Sequence, residues 1–383
     1  MAGGKKVLIL GGGAGGVVAA NILASKLRGE AEITLVDKSS YHVFQPSQPW
    51  VMMGQREPDD IRRPLRLLER KGVRVLVEEV ESIKPEEHSV QTSSRRLDYD
   101  YLVVALGSIP EPEKIPGDTR RVCTPWTLEG ALECRKLLAG FKGGSVVVTP
   151  VSWPYKCPPA PFEVAFMVKY LAEQRGVNAD ITVAHFWKEP MDPFGSMLVN
   201  AFKKFLDQYG VGYAGGVEVD SFQDGILVSR SGERLKYDLA IVVPPHSPPK
   251  PVAESELGDE SIWGYMRVDK VSLRAPKYDN VYGVGDVVAP SLNLGMAGVF
   301  AHFQAEYVAS RIVDEIKGVY MGAHYNKSGV CVMDMGYVGA AVYCDFTKRI
   351  AMGEYPDCVI LGGMKVFRAL KYAFEKFWLS RWF

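Results

Sequence analysis

The sequence predicts an α/β protein of two tandem Rossmann-like units followed by a C-terminal amphipathic helical segment. Three observations carry this: a strand, glycine turn, helix, strand and acid completed by Asp37; a second buried strand and helix beginning at Gly144; and a basic, aromatic-rich stretch from Gly363 to Phe383. A chain of 383 residues exceeds the usual length of one domain. The expected division is 1–112 and 272–325 for the first unit, 113–271 for the second, and 326–383 for the C-terminal segment.

Lys6–Leu10 (KVLIL) is a short continuous apolar run, as in a strand covered on both faces of a parallel sheet. Glycines at 11, 12, 13, 15 and 16 follow, then VVAANILASKL with helical period, then a strand, Glu32–Val36, closed by Asp37. Gly11, Gly13 and Gly16 suit the tight turn, the close approach of a pyrophosphate and the helix–strand contact of a dinucleotide fold. Asp37 stands 21 residues after Gly16, near the spacing at which an acid meets a ribose hydroxyl.

Tyr99–Pro110 (YDYLVVALGSIP) reads as a strand ending in a turn at Gly107, and Asn280–Val287 (NVYGVGDV) as a strand running into Gly285 and Asp286. In this order these segments resemble the two-dinucleotide-binding-domain flavoproteins. That resemblance implies FAD, with Asp286 on its ribityl chain.

The second unit has a strand, Gly144–Thr149 (GSVVVT), and a helix resuming over Phe162–Tyr170. Between them lie Pro150, Pro154, Pro158 and Pro159 and no glycine, so the backbone cannot approach a second pyrophosphate as it does in NAD(P)H-dependent members. Cys157 occupies that turn. The electron donor is therefore expected to be something other than a pyridine nucleotide.

The segments YHVFQPSQPWVMMG (41–54), KCPPAPFE (156–163), GYMRVDKVSLRAPKYDNVYGVGDV (264–287) and GVFAHFQAE (298–306) resemble the sulfide:quinone oxidoreductases, with the flavoprotein subunit of flavocytochrome c sulfide dehydrogenase as a cousin. The resemblance implies a redox pair of Cys157 and Cys331 beside the flavin, and Cys123 as a third cysteine handling sulfur or holding FAD. It implies that hydrosulfide opens the Cys157–Cys331 bridge, leaving a persulfide on Cys157, and that Cys331 passes the electrons on. Glu163 is a candidate base or an electrostatic helix cap, and His302 a candidate proton relay or a core residue. Cys134, Cys344 and Cys358 read as inert buried thiols. One departure concerns the turn after Asp286, where the family carries a lysine and this chain has Met296.

Lysines and arginines number 45 and acids 45, so no net charge draws the chain to nucleic acid. The six cysteines show no metal-type spacing, so no metal is expected. The glycine turn begins too soon after Met1 for a secretory signal, and no apolar run is long enough for a spanning helix. In Gly363–Phe383, five cations stand against the single acid Glu375, and Phe367, Leu370, Phe374, Phe377 and Trp378 recur at helical spacing. This suits peripheral, monotopic contact with a membrane, placed at its cytoplasmic face. Sulfide and quinone are the implied substrates, and the subunit number, homo-oligomer included, is open. Three other readings remain: a type II NADH:quinone oxidoreductase, a sulfide dehydrogenase donating to a cytochrome c, and a flavin redox sensor without turnover.

Overall fold

The computed structural model describes residues 4–383. Strand Lys5–Leu10 lies at the centre of a six-stranded sheet, parallel to Ala31–Asp37 on one side and to Tyr101–Val104 on the other. Val73–Val77 extends the sheet beyond Ala31–Asp37. Beyond Tyr101–Val104 lies Tyr278–Gly283, recruited from much later in the chain. The four apolar residues Val7–Leu10 are all buried, which explains their unbroken hydrophobicity. Helix Ala14–Lys26 covers one face and packs along helix Gly298–Lys317.

A second, five-stranded parallel sheet runs in the order Val122–Cys123, Leu239–Val243, Gly144–Pro150, Ala179–His185, Gly212–Gly215. Its helix Ala160–Gln174 begins among prolines, with Pro159 before it and Pro161 in its first turn, where a missing N–H costs nothing. Helix Leu128–Gly140 starts at Thr127, whose side chain accepts the Gly130 N–H at 3.0 Å.

The C-terminal segment is a three-stranded antiparallel sheet, Ser328–Asp334, Gly339–Asp345 and Asp357–Met364, running directly into helix Lys365–Trp382. Among the described residues, no helix is long and apolar enough to cross a membrane.

The helix does form, but its stripes are not disposed as the charge pattern suggested. Lys371 and Glu375 are buried together with Trp378, Leu379 and Trp382, while Val366, Leu370, Phe374 and Phe377 are exposed, Phe377 at 63%. The ionic residues face inward because the body of the protein supplies their partners. Glu375 is fully enclosed and receives Ser47 Oγ–H at 2.6 Å and Arg56 Nε–H at 3.0 Å. Trp378 was expected on the lipid side; it stacks instead on His42, ring centroids 4.9 Å apart. The segment 41–54 is thus the seat of the C-terminal helix, with Trp50 stacked on Tyr372 at 4.3 Å.

Candidate functional site

The glycine turn has the shape of a phosphate cradle. Gly11 has φ +105°, and a Cβ there would lie 2.3 Å from the Ala105 carbonyl oxygen. A Cβ on Gly16 would lie 1.8 Å from Gly11 O, so helix and strand meet only without a side chain. A Cβ on Gly13 would meet nothing within 4 Å, which leaves room for a ligand at the start of helix Ala14–Lys26. Asp37 accepts the Gly12 N–H at 2.5 Å and the Ser39 N–H at 2.7 Å, fixing its carboxylate against the turn, and burial raises its pKa.

Gly107 turns with φ +69° after Tyr101–Val104. Gly285 has φ +85° and donates its N–H to Gln304 Oε1 at 2.7 Å, which orients the start of the short turn holding Asp286. These elements converge because Tyr101–Val104 and Tyr278–Gly283 are neighbours in one sheet.

Cys157 has a left-handed backbone, φ 62°, which is strained for a side chain bearing a Cβ. Three clamps hold it. Its N–H donates to Met296 O at 2.7 Å, and its carbonyl accepts the Ala160 N–H at 2.9 Å. Trp126 Nε1–H donates to the preceding carbonyl of Lys156 at 2.9 Å.

A fourth clamp starts two residues earlier, at Tyr155. The Trp187 N–H donates to His185 Nδ1 at 3.0 Å, so in the neutral ring Nε2 carries the proton and donates to Tyr155 Oη at 2.9 Å. Tyr155 O–H in turn donates to Pro158 O at 3.1 Å. Burial lowers the His185 pKa to about 3, so the ring stays neutral.

Cys331, in the strand Ser328–Asp334, is brought against Cys157 from far along the chain. Both are unbonded thiols, close enough for each to influence the other's ionisation. The interaction with Cys157, then burial, pushes the Cys331 thiol well above its ordinary pKa, and the Lys371 ammonium pulls it the other way.

Glu163 lies within electrostatic reach of Cys331, but its carboxylate is engaged by Lys371 of the C-terminal helix and by the Asp334 N–H at 2.7 Å. Burial raises its pKa while Lys371 opposes the rise. Asp334, fully buried, accepts from Trp50 Nε1 at 2.9 Å and Arg368 Nε at 3.2 Å. Neither Lys371 nor Asp334 was singled out in the sequence. The signal for Lys371 was present only as a cation on a helix stripe.

Four cysteines depart from expectation. Cys123 is bonded to Cys134, and Cys344 to Cys358, so the readings of Cys123 as a free third thiol and of the other three as inert thiols are corrected. The first bridge ties the short strand Val122–Cys123 to the buried face of helix Leu128–Gly140. The second joins residues directly opposite in neighbouring strands. His302 stands apart, facing Glu306 at 3.2 Å and the Trp378 indole at 3.4 Å.

The residues fit a dinucleotide-bearing flavin: an open cradle at Gly13, a fixed acid at Asp37, and a buried His246 whose Nε2 has no partner in the protein.

Residues 5–149 match the family described as pyridine nucleotide-disulphide oxidoreductase. The chain is 25% identical over 344 residues to the mitochondrial sulfide:quinone oxidoreductase of Dictyostelium discoideum, covering 87% of this chain and 75% of that protein. A type II NADH:quinone oxidoreductase of Staphylococcus aureus is 26% identical over 312 residues, covering 74% of this chain and 75% of that one. The crystal structure of the sulfide:quinone oxidoreductase of Aquifex aeolicus superposes with a TM-score of 0.86 at 25% identity, over 99% of this chain and 91% of that one. With Cys157 in the turn where a second nucleotide would be expected, Cys331 brought to it, and this likeness over the whole chain, the protein is similar to the sulfide:quinone oxidoreductases.

Proposed function

We propose that the protein oxidises sulfide at Cys157 and Cys331 and passes the electrons through FAD to a membrane quinone. One observation carries this reading: two unpaired thiols from distant segments are brought close together, one of them on a strained and clamped backbone. Gly11, Gly13, Gly16 and Asp37 would hold the adenosine diphosphate half of FAD, and Gly107, Gly285 and Asp286 the ribityl half. When bound, FAD accepts two electrons from the cysteine pair and delivers them to the quinone.

Cys157 and Cys331 are not bonded to each other in the structure. In the oxidised form, hydrosulfide attacks Cys157 Sγ and the Cys157–Cys331 bond breaks. Cys157 keeps the new sulfur as a persulfide and Cys331 departs with the electron pair as a thiolate. Lys371 is the nearby cation that stabilises that thiolate, and Glu163 holds Lys371 in place. The clamps from Met296, Trp126 and the Tyr155–His185 pair keep Cys157 in line for attack. Glu163 acts as an electrostatic partner in this reading, since Lys371 and the Asp334 N–H engage its carboxylate.

The quinone side is the apolar surface. Val330, Tyr343, Val359 and Leu361 are exposed on the outer face of the last sheet, and Val366, Leu370, Phe374 and Phe377 on the C-terminal helix. Lys365, Lys376 and Arg381 are exposed around them, as in an interfacial anchor meeting anionic headgroups. We place this surface on the cytoplasmic leaflet; the two disulfides are buried and so shielded from soluble reductant.

Anaerobic mixing tests the proposal. Sulfide should bleach the flavin, a short-chain quinone should restore its colour over repeated cycles, and NADH should do neither. Rapid bleaching by NADH, or a flavin untouched by sulfide, would refute the assignment.

A further inference from the structure

Lys156 is nearly enclosed, with 14% of its side chain exposed, yet it has no close partner. Its Nζ stands 3.9 Å from Asp286 Oδ2, beyond hydrogen-bonding distance. Among the described residues no protein acceptor takes any of its three protons. Burial lowers the pKa of Lys156 while the Asp286 carboxylate resists.

His246 is close enough to feel the same charge: burial, then Lys156, push its pKa down to about 3. Its Nδ1 lies 2.9 Å from the Pro244 carbonyl, which can only accept, so Nδ1 carries the proton and Nε2 presents a bare lone pair. That lone pair is buried and unpartnered. The protein thus holds, within electrostatic reach of one another, a cation beside Asp286 and a buried acceptor without a donor.

We propose that Lys156, seconded by His246, is the receptor for the pyrimidine ring of the flavin and sets the flavin's reduction potential. The inference rests on the reading above that Asp286 holds the ribityl chain. That chain leaves the ring system beside N1 and the C2 carbonyl, so a cation next to Asp286 is next to that edge. The edge offers carbonyl oxygens and one N–H, matching an ammonium and a lone pair, and it is where the reduced ring carries its negative charge. Lys156 is fixed there by the backbone pairing of its own segment with Met296. The cation absent from position 296 is supplied by a side chain that reaches the same region from the cysteine turn.

The test is the potential of the bound flavin, titrated with an artificial reductant and a reference dye rather than with sulfide, in the wild type and in Lys156→Met and Lys156→Arg. Loss of the cation should destabilise the reduced flavin at least tenfold, a fall of about 30 mV or more for a two-electron couple. Arginine should keep the wild-type value. Should Lys156→Met lose its flavin, Lys156→Gln is read in its place, with the same expected fall. Uncharged variants that hold flavin at the wild-type potential, or an arginine variant that falls with them, would overturn the proposal. If sulfide fails to bleach the wild type while the potential still shifts as expected, the sulfide reading fails and the Lys156 assignment stands.

Discussion

Lys371 of the C-terminal helix forms a buried ion pair with Glu163, in the first turn of the helix that follows Cys157. The helix that exposes Val366, Leu370, Phe374 and Phe377 is therefore bolted by charge to the helix that follows Cys157. Breaking one side of such a pair strands the other. Lys371→Met is expected to cost about 3–5 kcal/mol, and Lys371→Met with Glu163→Met markedly less than the sum of the singles. Denaturant melts of the four proteins measure this; additive losses would exclude a coupled pair.

Removal of the chain beyond Gly363 would also strip the partners of Glu163, Asp334 and Arg56, so truncation confounds folding with anchoring. Surface changes separate them. Phe374→Ser with Phe377→Ser removes two exposed rings, each contributing roughly 1.5–3 kcal/mol when buried in an apolar phase. The double variant should lose co-sedimentation with vesicles while sulfide still bleaches its flavin. Unchanged sedimentation would place the anchor elsewhere.

Cys331→Ser should retain the flavin and lose bleaching by sulfide, because the serine hydroxyl cannot leave as a thiolate does. Stopped-flow absorbance reads this directly, and wild-type bleaching rates would remove Cys331 from the electron path.

Gly16→Ala would place a methyl group 1.8 Å from the Gly11 carbonyl oxygen. Backbone cannot yield cheaply there, so this variant should purify colourless or unfolded, whereas Gly13→Ala, with open space around it, should fold and bind flavin more weakly. Flavin content after gel filtration distinguishes them, and a fully yellow Gly16→Ala would contradict the packing described.

His185 is neutral in the fold, with a pKa of about 3 caused by burial, against about 6.5 in an unfolded chain. The unfolded state therefore binds the extra proton as pH falls below about 6.5. The contribution of His185 is complete above that pH and is lost progressively toward pH 3, at about 1.4 kcal/mol per pH unit. Relative to His185→Gln, the wild type should lose stability between pH 6.5 and 4, read as a narrowing gap in unfolding free energy. A gap constant with pH would mean that the ring is protonated in the fold.

Much of this is legible in the sequence. The apolar run Lys6–Leu10, the glycine turn and Asp37 carry their geometry in local spacing, and the prolines around Cys157 announce a turn unable to cradle a phosphate. The C-terminal helix was legible as a helix but not in its orientation. Its two stripes repeat with the same period, and only the carboxylate of Glu163 and the guanidinium of Arg56 decide that Lys371 and Glu375 turn inward. Cys134 and Cys358 looked inert because pairing depends on which strands and helices become neighbours, which spacing along the chain does not encode. Lys156 was hidden for a similar reason: its meeting with Asp286 exists only after two distant turns close on each other.

Along Ser328–Asp334 side chains alternate, so Cys331 points at Cys157 while its neighbour Val330 points outward. On the proposed reading, a single strand's thickness would divide a water-borne reductant from an oil-borne oxidant. An enzyme so arranged would have no need to ferry electrons over a distance, because the boundary between the two solvents would coincide with the wall of its own reaction chamber.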